Sequence, residues 1–268
     1  MDFSVLISIY KKESPVYFRK ALNSVFAQTL QPAEIVLVKD GPLTPELDAV
    51  IEEYSSRYPI FKIVTNETNL GLGLALAKGL LACSYEYVAR MDTDDKMPID
   101  RFEKQLKKIT EGYDVISCWT KAFDVTPNNI IAVRQRPEKH EDIINLAHKR
   151  SPVCHAGCVL RRQAVIDAGN YQTCYLYEDY HLWVRMIMNG ARFYNIQEVL
   201  YYVRTSPALI ARRGGWKYMC NEIKTFRFFY NIGFYSRKDL LRNIITHSPV
   251  RILPVWIRRS ILLWLWRR

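Results

Sequence analysis

The sequence has no apolar run long enough to cross a lipid bilayer and no secretory signal peptide. A spanning helix takes about 20 predominantly apolar residues, whereas the apolar C-terminal stretch is interrupted by Pro254 and by Arg258-Arg259. The first apolar run, residues 5–10, is too short for the hydrophobic core of a signal peptide. We therefore expect a cytoplasmic protein that does not span a membrane.

Cysteine is too scattered to form a disulfide framework or a zinc finger. The six cysteines follow no regular spacing. Cys154, His155 and Cys158 lie close together, but no second pair of ligands at finger-like spacing accompanies them. The cysteine pattern thus favours a reducing compartment.

Several nucleotide-binding and nucleic-acid-binding patterns are also missing. The glycines of residues 69–75 do not complete a dinucleotide fingerprint, and residues 10–13 lack the glycines expected of a sugar nucleotidyltransferase. No recognised nucleic-acid motif accompanies the net charge of +11, so we expect no nucleic-acid partner. Two alternatives stay open, a nucleotidyltransferase and a basic nucleic-acid-binding or membrane-binding protein with a non-catalytic α/β domain.

Alternating strand and helix patterns dominate the first half of the 268 residues. Buried apolar runs at 2–10, 34–38 and 61–64 alternate with helices that begin at Ser14-Pro15 and Thr44-Pro45. Such runs are typical of parallel strands joined by crossover helices. The predicted fold class is α/β, with an open, mostly parallel central sheet flanked by helices. We expect the sheet to become mixed after residue 120, with a hairpin turn at 127–129 and a strand at 151–160.

Polar or glycine-rich segments follow each of the first four predicted strands. Open α/β sheets bind ligands at the carboxyl ends of their strands. The segments are residues 10–13, 40–42, 66–73 and 92–95. Together they predict a nucleotide site at one edge of the sheet.

Three carboxylates close the fourth predicted strand. Asp92, Asp94 and Asp95 would repel one another at this spacing unless a cation lay between them. Aspartates two residues apart at a strand end suit Mg²⁺ or Mn²⁺, which prefer oxygen ligands. An acidic turn, or the cap of a helix after Pro98, explains the pattern equally well.

Five separated motifs give the sequence a resemblance to a known family. They are the first strand with Glu13, the helix end at 23–29, the strand at 34–38 closed by Asp40-Gly41, residues 69–71 and residues 91–95. In order and spacing they resemble family 2 of the inverting nucleotide-sugar glycosyltransferases, over residues 3–205. The resemblance implies a GT-A fold, a Rossmann-like domain that holds a nucleoside diphosphate sugar. It also implies a role in bacterial surface polysaccharide synthesis, such as O-antigen, capsule or exopolysaccharide.

The resemblance further implies a donor site and a metal site at the strand ends. Asp94, with Asp92 or Asp95, is expected to hold Mn²⁺ or Mg²⁺ on the pyrophosphate of the donor. Asp40 is expected to hydrogen-bond the base, usually uracil, with thymine as the alternative because Lys39 replaces the acid that usually precedes this aspartate. The chain also has Ile9 where the family usually has proline. The residues expected to contact the donor are Ile9, Tyr10, Glu13, Asp40, Asn69, Gly71, Lys78, Asp92, Thr93 and Asp94.

A second acidic pair, Glu178-Asp179, precedes a helical pattern. The pair suits the cap of that helix, since carboxylates favour helix N-termini. It also resembles the family's Glu-Asp motif, which implies that Asp179 is the catalytic base, with Glu178 as the second candidate. On the acceptor side the resemblance points to His155, for which a structural role is the alternative, and to Trp183 and Arg185.

Positive charge is concentrated after residue 200. Residues 201–268 carry 14 Lys and Arg against Glu222 and Asp239, whereas residues 1–200 carry 24 basic and 25 acidic side chains. We divide the chain into a glycosyltransferase domain, 1–205, and a basic, Trp-rich helical extension, 206–268. Trp, Leu and Ile interleaved with Arg suit a helix on an anionic membrane surface; a helix packed on the domain is the alternative.

The tail and the resemblance together predict the location and the acceptor. We expect a peripheral protein on the cytoplasmic face of the inner membrane, held there by its C-terminal helix. The expected acceptor is a glycan or a lipid-linked glycan.

Overall fold

The computed structural model describes residues 1–124, 126–174, 176–205 and 213–266. Strands and helices alternate through the first third of the chain, as predicted. Backbone N–H groups of Tyr17 and Leu47 donate to the capping hydroxyls of Ser14 (3.5 Å) and Thr44 (3.4 Å). The elements are β1 Ser4–Ile9, α1 Pro15–Phe26, β2 Glu34–Asp40, α2 Pro45–Arg57, β3 Phe61–Asn66, α3 Leu72–Ala82 and β4 Tyr87–Arg90.

The rest of the chain adds four strands and a series of helices. The elements up to residue 204 are α4 Arg101–Ile109, β5 Val115–Phe123, β6 Ile130–Arg134, α5 His140–Ala147, β7 Val159–Arg161, α6 Arg162–Asp167, α7 Glu178–Met188 and β8 Phe193–Arg204. The tail forms α8 Trp216–Asn231, α9 Arg237–Ile252 and α10 Val255–Trp266.

The strands form one sheet in the order β3-β2-β1-β4-β7-β5-β6, with β8 also paired to β5. Strands β1 to β4 are parallel. Strand β7 is antiparallel to both β4 and β5, so β5 and its parallel neighbour β8 point the same way as β1 to β4. The predicted mostly parallel sheet, mixed beyond residue 120, is therefore confirmed.

The predicted strand at 151–160 is wrong over most of its length. Only β7 is extended, and two turn bonds precede it, from the N–H of Gly157 to the Cys154 carbonyl (3.2 Å) and from the N–H of Cys158 to the His155 carbonyl (3.4 Å). A Cβ at Gly157 would lie 2.9 Å from the Cβ of Tyr201. The turn thus satisfies these backbone groups locally and lets β8 approach closely.

The C-terminal helices pack on the domain. Tyr218, Phe226 and Phe229 of α8 belong to the same buried cluster as Tyr177 and Tyr180 at the start of α7. The buried carboxylate of Glu222 accepts hydrogen bonds from the Tyr177 hydroxyl and, at 2.7 Å, from Arg251 of α9. These contacts join the tail to the start of α7, and the division at residues 205 and 206 stays a prediction.

Within the described ranges, no helix combines the length and the apolar character needed to cross a membrane.

Candidate active site

The carboxyl ends of β1 to β4 lie side by side. Ile9 is paired with Lys39, and Asp40 with Asn66, in the register of the parallel strands. Met91, which follows β4, donates its N–H to the carbonyl of Leu6 in β1 at 3.2 Å. The four polar segments predicted to share one sheet edge therefore do so.

Asp40 is the centre of a hydrogen-bonded loop at this edge. Its carboxylate accepts the side-chain amides of Asn66 and Asn69, both at 3.0 Å, and the backbone N–H groups of Leu70 (2.9 Å) and Gly71 (3.0 Å). The side chain is buried, and these four donors occupy both of its oxygens. These contacts give Asp40 a positioning role, because the carboxylate holds the segment from Asn66 to Gly71. Its contact with the base stays a prediction.

Two neighbours complete this loop. Gly41 has φ of +85°, and a Cβ there would lie 2.7 Å from the backbone nitrogen of Asn69, so only glycine fits. Lys78 of α3 donates to the Asn66 side chain (3.0 Å) and to the Thr65 carbonyl (2.8 Å). Lys78 thus joins the same network at the strand ends, through Asn66.

The acidic segment after β4 is held by residues from three other parts of the chain. The Thr93 hydroxyl donates to Glu13 at 2.9 Å, which links the segment to the loop after β1. Arg90, almost fully buried, donates to Asp92 at 2.6 Å. From β8, Arg204 donates its backbone N–H to Asp95 at 2.7 Å and its side chain to the Asp94 carbonyl at 3.0 Å.

The oxygen donors of this segment fit a hard divalent cation. Asp92 and Asp94 are half-buried, and burial, followed by the charges of Asp94 and Asp92, raises the pKa of Asp95 well above its usual range. Three carboxylates therefore crowd one turn. Among the described residues, no three His, Cys, Asp or Glu side chains converge enough to hold a metal by themselves. Magnesium and manganese sites of this type are completed by water and substrate phosphates, so a site with fewer than three protein ligands is compatible with these ions.

Asp95 differs from its two neighbours. Its side chain is 3% exposed and accepts a hydrogen bond from the backbone N–H of Arg204. A hydrogen bond from the Tyr201 hydroxyl lowers the pKa of Asp95, against the effect of burial. Its side chain therefore fixes the acidic segment against β8.

Glu178 and Asp179 begin α7, beside the first turn of α3. A Cβ at Gly73 would lie 3.2 Å from the Cβ of Glu178. Burial, and then the charge of Asp179, raises the pKa of Glu178 to about 7. Burial also raises the pKa of Asp179, against the N–H of Tyr180 and the charge of Arg213. A carboxylate with a raised pKa is a better proton acceptor, as a general base requires.

Two of the three expected acceptor-side residues have structural roles instead. Trp183 is fully buried. Arg185 donates to the carbonyls of Ala168 and, at 2.7 Å, Asn170, so it fixes the loop after α6. It lies six residues after Asp179, which is about 120° away around α7 at 3.6 residues per turn.

His155 is the third expected acceptor-side residue. Its Nε2 is 2.8 Å from the Tyr171 hydroxyl, and burial, followed by the charge of Arg90, lowers its pKa well below the usual value. The ring is therefore neutral at physiological pH.

Sequence reasoning missed a cavity of about 860 Å³ that Asp179 helps to line. Six basic side chains also line the cavity. They are Arg134, Arg136, Lys149, Arg150, Arg213 and Arg251. They come from four separate segments of the chain, so no local spacing signals them.

Comparison with known proteins identifies the family. The model of "Glycosyl transferase family 2" matches residues 4–169, and that of "Glycosyl transferase family group 2" matches residues 87–267. The chain is 38% identical to the UDP-Gal:alpha-D-GlcNAc-diphosphoundecaprenol beta-1,3-galactosyltransferase of Escherichia coli, over 96% of this chain and 93% of that protein. It is also 38% identical to the amylovoran biosynthesis glycosyltransferase AmsE of Erwinia amylovora, over 94% and 96% of the two chains.

Solved structures share the fold. The mannosyltransferase PcManGT of Pyrobaculum calidifontis, in complex with GDP-Man and Mn²⁺, superposes with a TM-score of 0.68 over 98% of this chain and 79% of that one, at 15% identity. The expected GT-A fold is thereby confirmed. The fold agrees with the matches along the sequence. The chain belongs to glycosyltransferase family 2.

Proposed function

We propose that this protein is a metal-dependent, inverting glycosyltransferase that moves a sugar from a UDP-sugar to a hydroxyl of a lipid-linked glycan acceptor, in bacterial polysaccharide synthesis. One observation carries the proposal. Asp179 lines a large cavity at the start of α7, while the acidic segment containing Asp92 and Asp94 closes β4 at the sheet edge. The two 38% identical relatives support it, because one uses UDP-Gal and a diphosphoundecaprenol-linked acceptor and the other acts in amylovoran biosynthesis.

The donor lies along the carboxyl ends of β1 to β4 in this proposal. Asp40 holds the loop from Asn66 to Gly71 in place, and Gly71 and the start of α3 face the donor. Asp94 and Asp92 hold Mn²⁺ or Mg²⁺, which supplies positive charge to the leaving diphosphate. Arg90 keeps Asp92 oriented through their 2.6 Å contact.

Asp179 acts on the acceptor. It takes the proton of the acceptor hydroxyl as the oxygen of that hydroxyl forms a bond to the anomeric carbon of the donor sugar. The bond between the anomeric carbon and the diphosphate oxygen breaks at the same time, and its electron pair leaves with UDP. Attack opposite the leaving group inverts the configuration, so an α-linked donor gives a β-linked product.

The tail would bring the enzyme to the cytoplasmic face of the inner membrane. Trp216 and Trp256 are 70% and 72% exposed. Leu241, Ile245 and Ile252 are also exposed and, at spacings of four and seven, share one face of α9. Exposed Trp and aliphatic side chains in a segment of net charge +12 suit an anionic lipid surface.

The test is isothermal titration with UDP, TDP and GDP, each with and without Mn²⁺. We expect metal-dependent binding of UDP to the wild type, loss of that binding in Asp94→Ala, and no change in the control Asp167→Ala, which removes an exposed carboxylate of α6. NMR of the transfer product would then give its anomeric configuration. A folded protein that binds none of the three diphosphates, or a product that retains configuration, would refute the proposal.

A further inference from the structure

The cavity beside Asp179 is large. Its volume of about 860 Å³ is within the usual range for small-molecule sites, about 300–1,000 Å³. The walls are residues 132–136 at and after β6, residues 149–151, the start of α7, and helices α8 and α9. Its described lining contains no residue from the strand-end segments proposed to hold the donor. The cavity therefore offers space for a second ligand next to the proposed base.

The charge of this cavity is strongly unbalanced. Among its described lining residues, the six basic side chains named above face two carboxylates, Asp179 and Glu222. Glu222 is engaged by Arg251 at 2.7 Å, and Asp179 is the second carboxylate of this described lining. Burial, followed by the charge of Arg150, lowers the pKa of Arg136 to about 10. A fold that holds like charges together inside a cavity is stabilised when an anion binds there.

Aromatic and aliphatic side chains also line the cavity. Tyr177 and Tyr180 of α7, Tyr218 and Phe226 of α8, and Val250 of α9 line it. The first four belong to one buried aromatic cluster, so the wall is fixed by packing. A ligand complementary to this mixed lining carries an anionic group next to a hydrocarbon segment.

The basic side chains are also close to the proposed base. The charge of Arg213 lowers the pKa of Asp179, and Asp179 in turn raises the pKa of Arg136. An anion bound here would thus lie near the carboxylate that accepts the proton. Arginine suits phosphate because its planar guanidinium donates two parallel hydrogen bonds.

We infer that this cavity is the acceptor site, that Arg136 and Arg150 bind a diphosphate group of the acceptor, and that the aromatic wall receives the hydrocarbon attached to it. The inference rests on the proposed function, since it assigns the cavity to the acceptor, whose hydroxyl Asp179 deprotonates. The acceptor sugar would then lie between the diphosphate and Asp179. A neutral glycan without a diphosphate would leave the arginines without their ligand and bind weakly.

Calorimetric titration with geranyl diphosphate, geranyl monophosphate and geraniol tests this inference. The protein is first saturated with UDP and Mn²⁺, so that the donor site cannot take up the probe. We expect the diphosphate to bind at least tenfold more tightly than the monophosphate, and geraniol most weakly. Arg136→Gln and Arg150→Gln should each weaken diphosphate binding about tenfold, whereas Arg57→Gln, an exposed arginine of α2, should not.

Binding of UDP distinguishes a failure of this inference from a failure of the proposed function. A variant that still binds UDP is folded, and Arg150 lies at the exposed rim, where its replacement does not disturb the core. If UDP binds but geranyl diphosphate does not, the inference is wrong while the proposed function stands. The same holds if geranyl diphosphate binds equally well to the wild type and to both cavity variants. Failure of UDP binding would count against the proposed function instead.

Discussion

Replacement of Glu178 by glutamine should stabilise the protein at alkaline pH far more than at acidic pH. Burial and the charge of Asp179 raise the pKa of Glu178 from 4.5 to about 7 in the folded state. In the unfolded chain the carboxyl has its ordinary pKa, so the folded state binds the proton more tightly and loses stability as the pH rises from about 4.5 to about 7. Glutamine resembles the protonated form at every pH and does not undergo this loss.

The size of the effect follows from the same values. At about 1.4 kcal/mol for each pKa unit, the ionised carboxylate lowers the free energy of unfolding by about 3 kcal/mol above pH 8. By the same relation the difference should be only about 1 kcal/mol at pH 5, where the unfolded chain has lost most of this proton. Urea denaturation of the wild type and Glu178→Gln at pH 5.0 and 8.5 measures both differences.

The matched control is Glu52→Gln, which changes an exposed glutamate of α2. Its stability should follow that of the wild type at both pH values, because water already solvates this carboxylate. If Glu178→Gln and the wild type had equal free energies of unfolding at pH 8.5, the reasoning from burial at the start of α7 would be refuted.

Three other substitutions test separate parts of the structure. Asp40→Asn should lower the free energy of unfolding by about 3 kcal/mol, measured by urea denaturation. Asparagine has one acceptor oxygen where aspartate has two, and buried hydrogen bonds to charged groups contribute about 1.5–3 kcal/mol each. A loss below about 1 kcal/mol would contradict the proposed role of Asp40 in holding the loop. Asp179→Asn should reduce turnover by about 10²–10⁴-fold with unchanged affinity for UDP, and a fall no larger than in Glu178→Gln would exclude it as the base. Trp256→Ser should weaken sedimentation with anionic liposomes about tenfold, given about 1.5–3 kcal/mol for a large buried apolar side chain, whereas Leu81→Ser, an exposed apolar residue of α3, should not.

The first half of the fold was predictable because its signals are local. Continuous apolar runs mark strands buried on both faces, and the pairs Ser14-Pro15 and Thr44-Pro45 mark the starts of α1 and α2. Parallel direction then brings the strand ends to one edge, so the position of the polar loops follows from topology alone. The membership of the family was likewise carried by five separate motifs.

Side-chain direction and long-range partners were less predictable. The four donors that bind Asp40 were not predicted, because they lie 26 to 31 residues away along the chain. Trp183 and Arg185 fall in the expected helix, yet packing on both sides of α7 buries one and turns the other toward the loop after α6. The basic lining of the cavity assembles only when four segments distant in the sequence, at residues 134–136, 149–150, 213 and 251, come together in the fold.

The contact of Glu222 and Arg251 with Tyr177 means that the tail cannot be exchanged between relatives as an independent module. Tyr177 directly precedes the acidic pair, and both of its partners come from the C-terminal helices. A graft of another tail onto this domain would leave the start of α7 without its partners unless the facing residues of α7 were transferred with it. Divergence at positions 177, 222 and 251 should therefore be correlated.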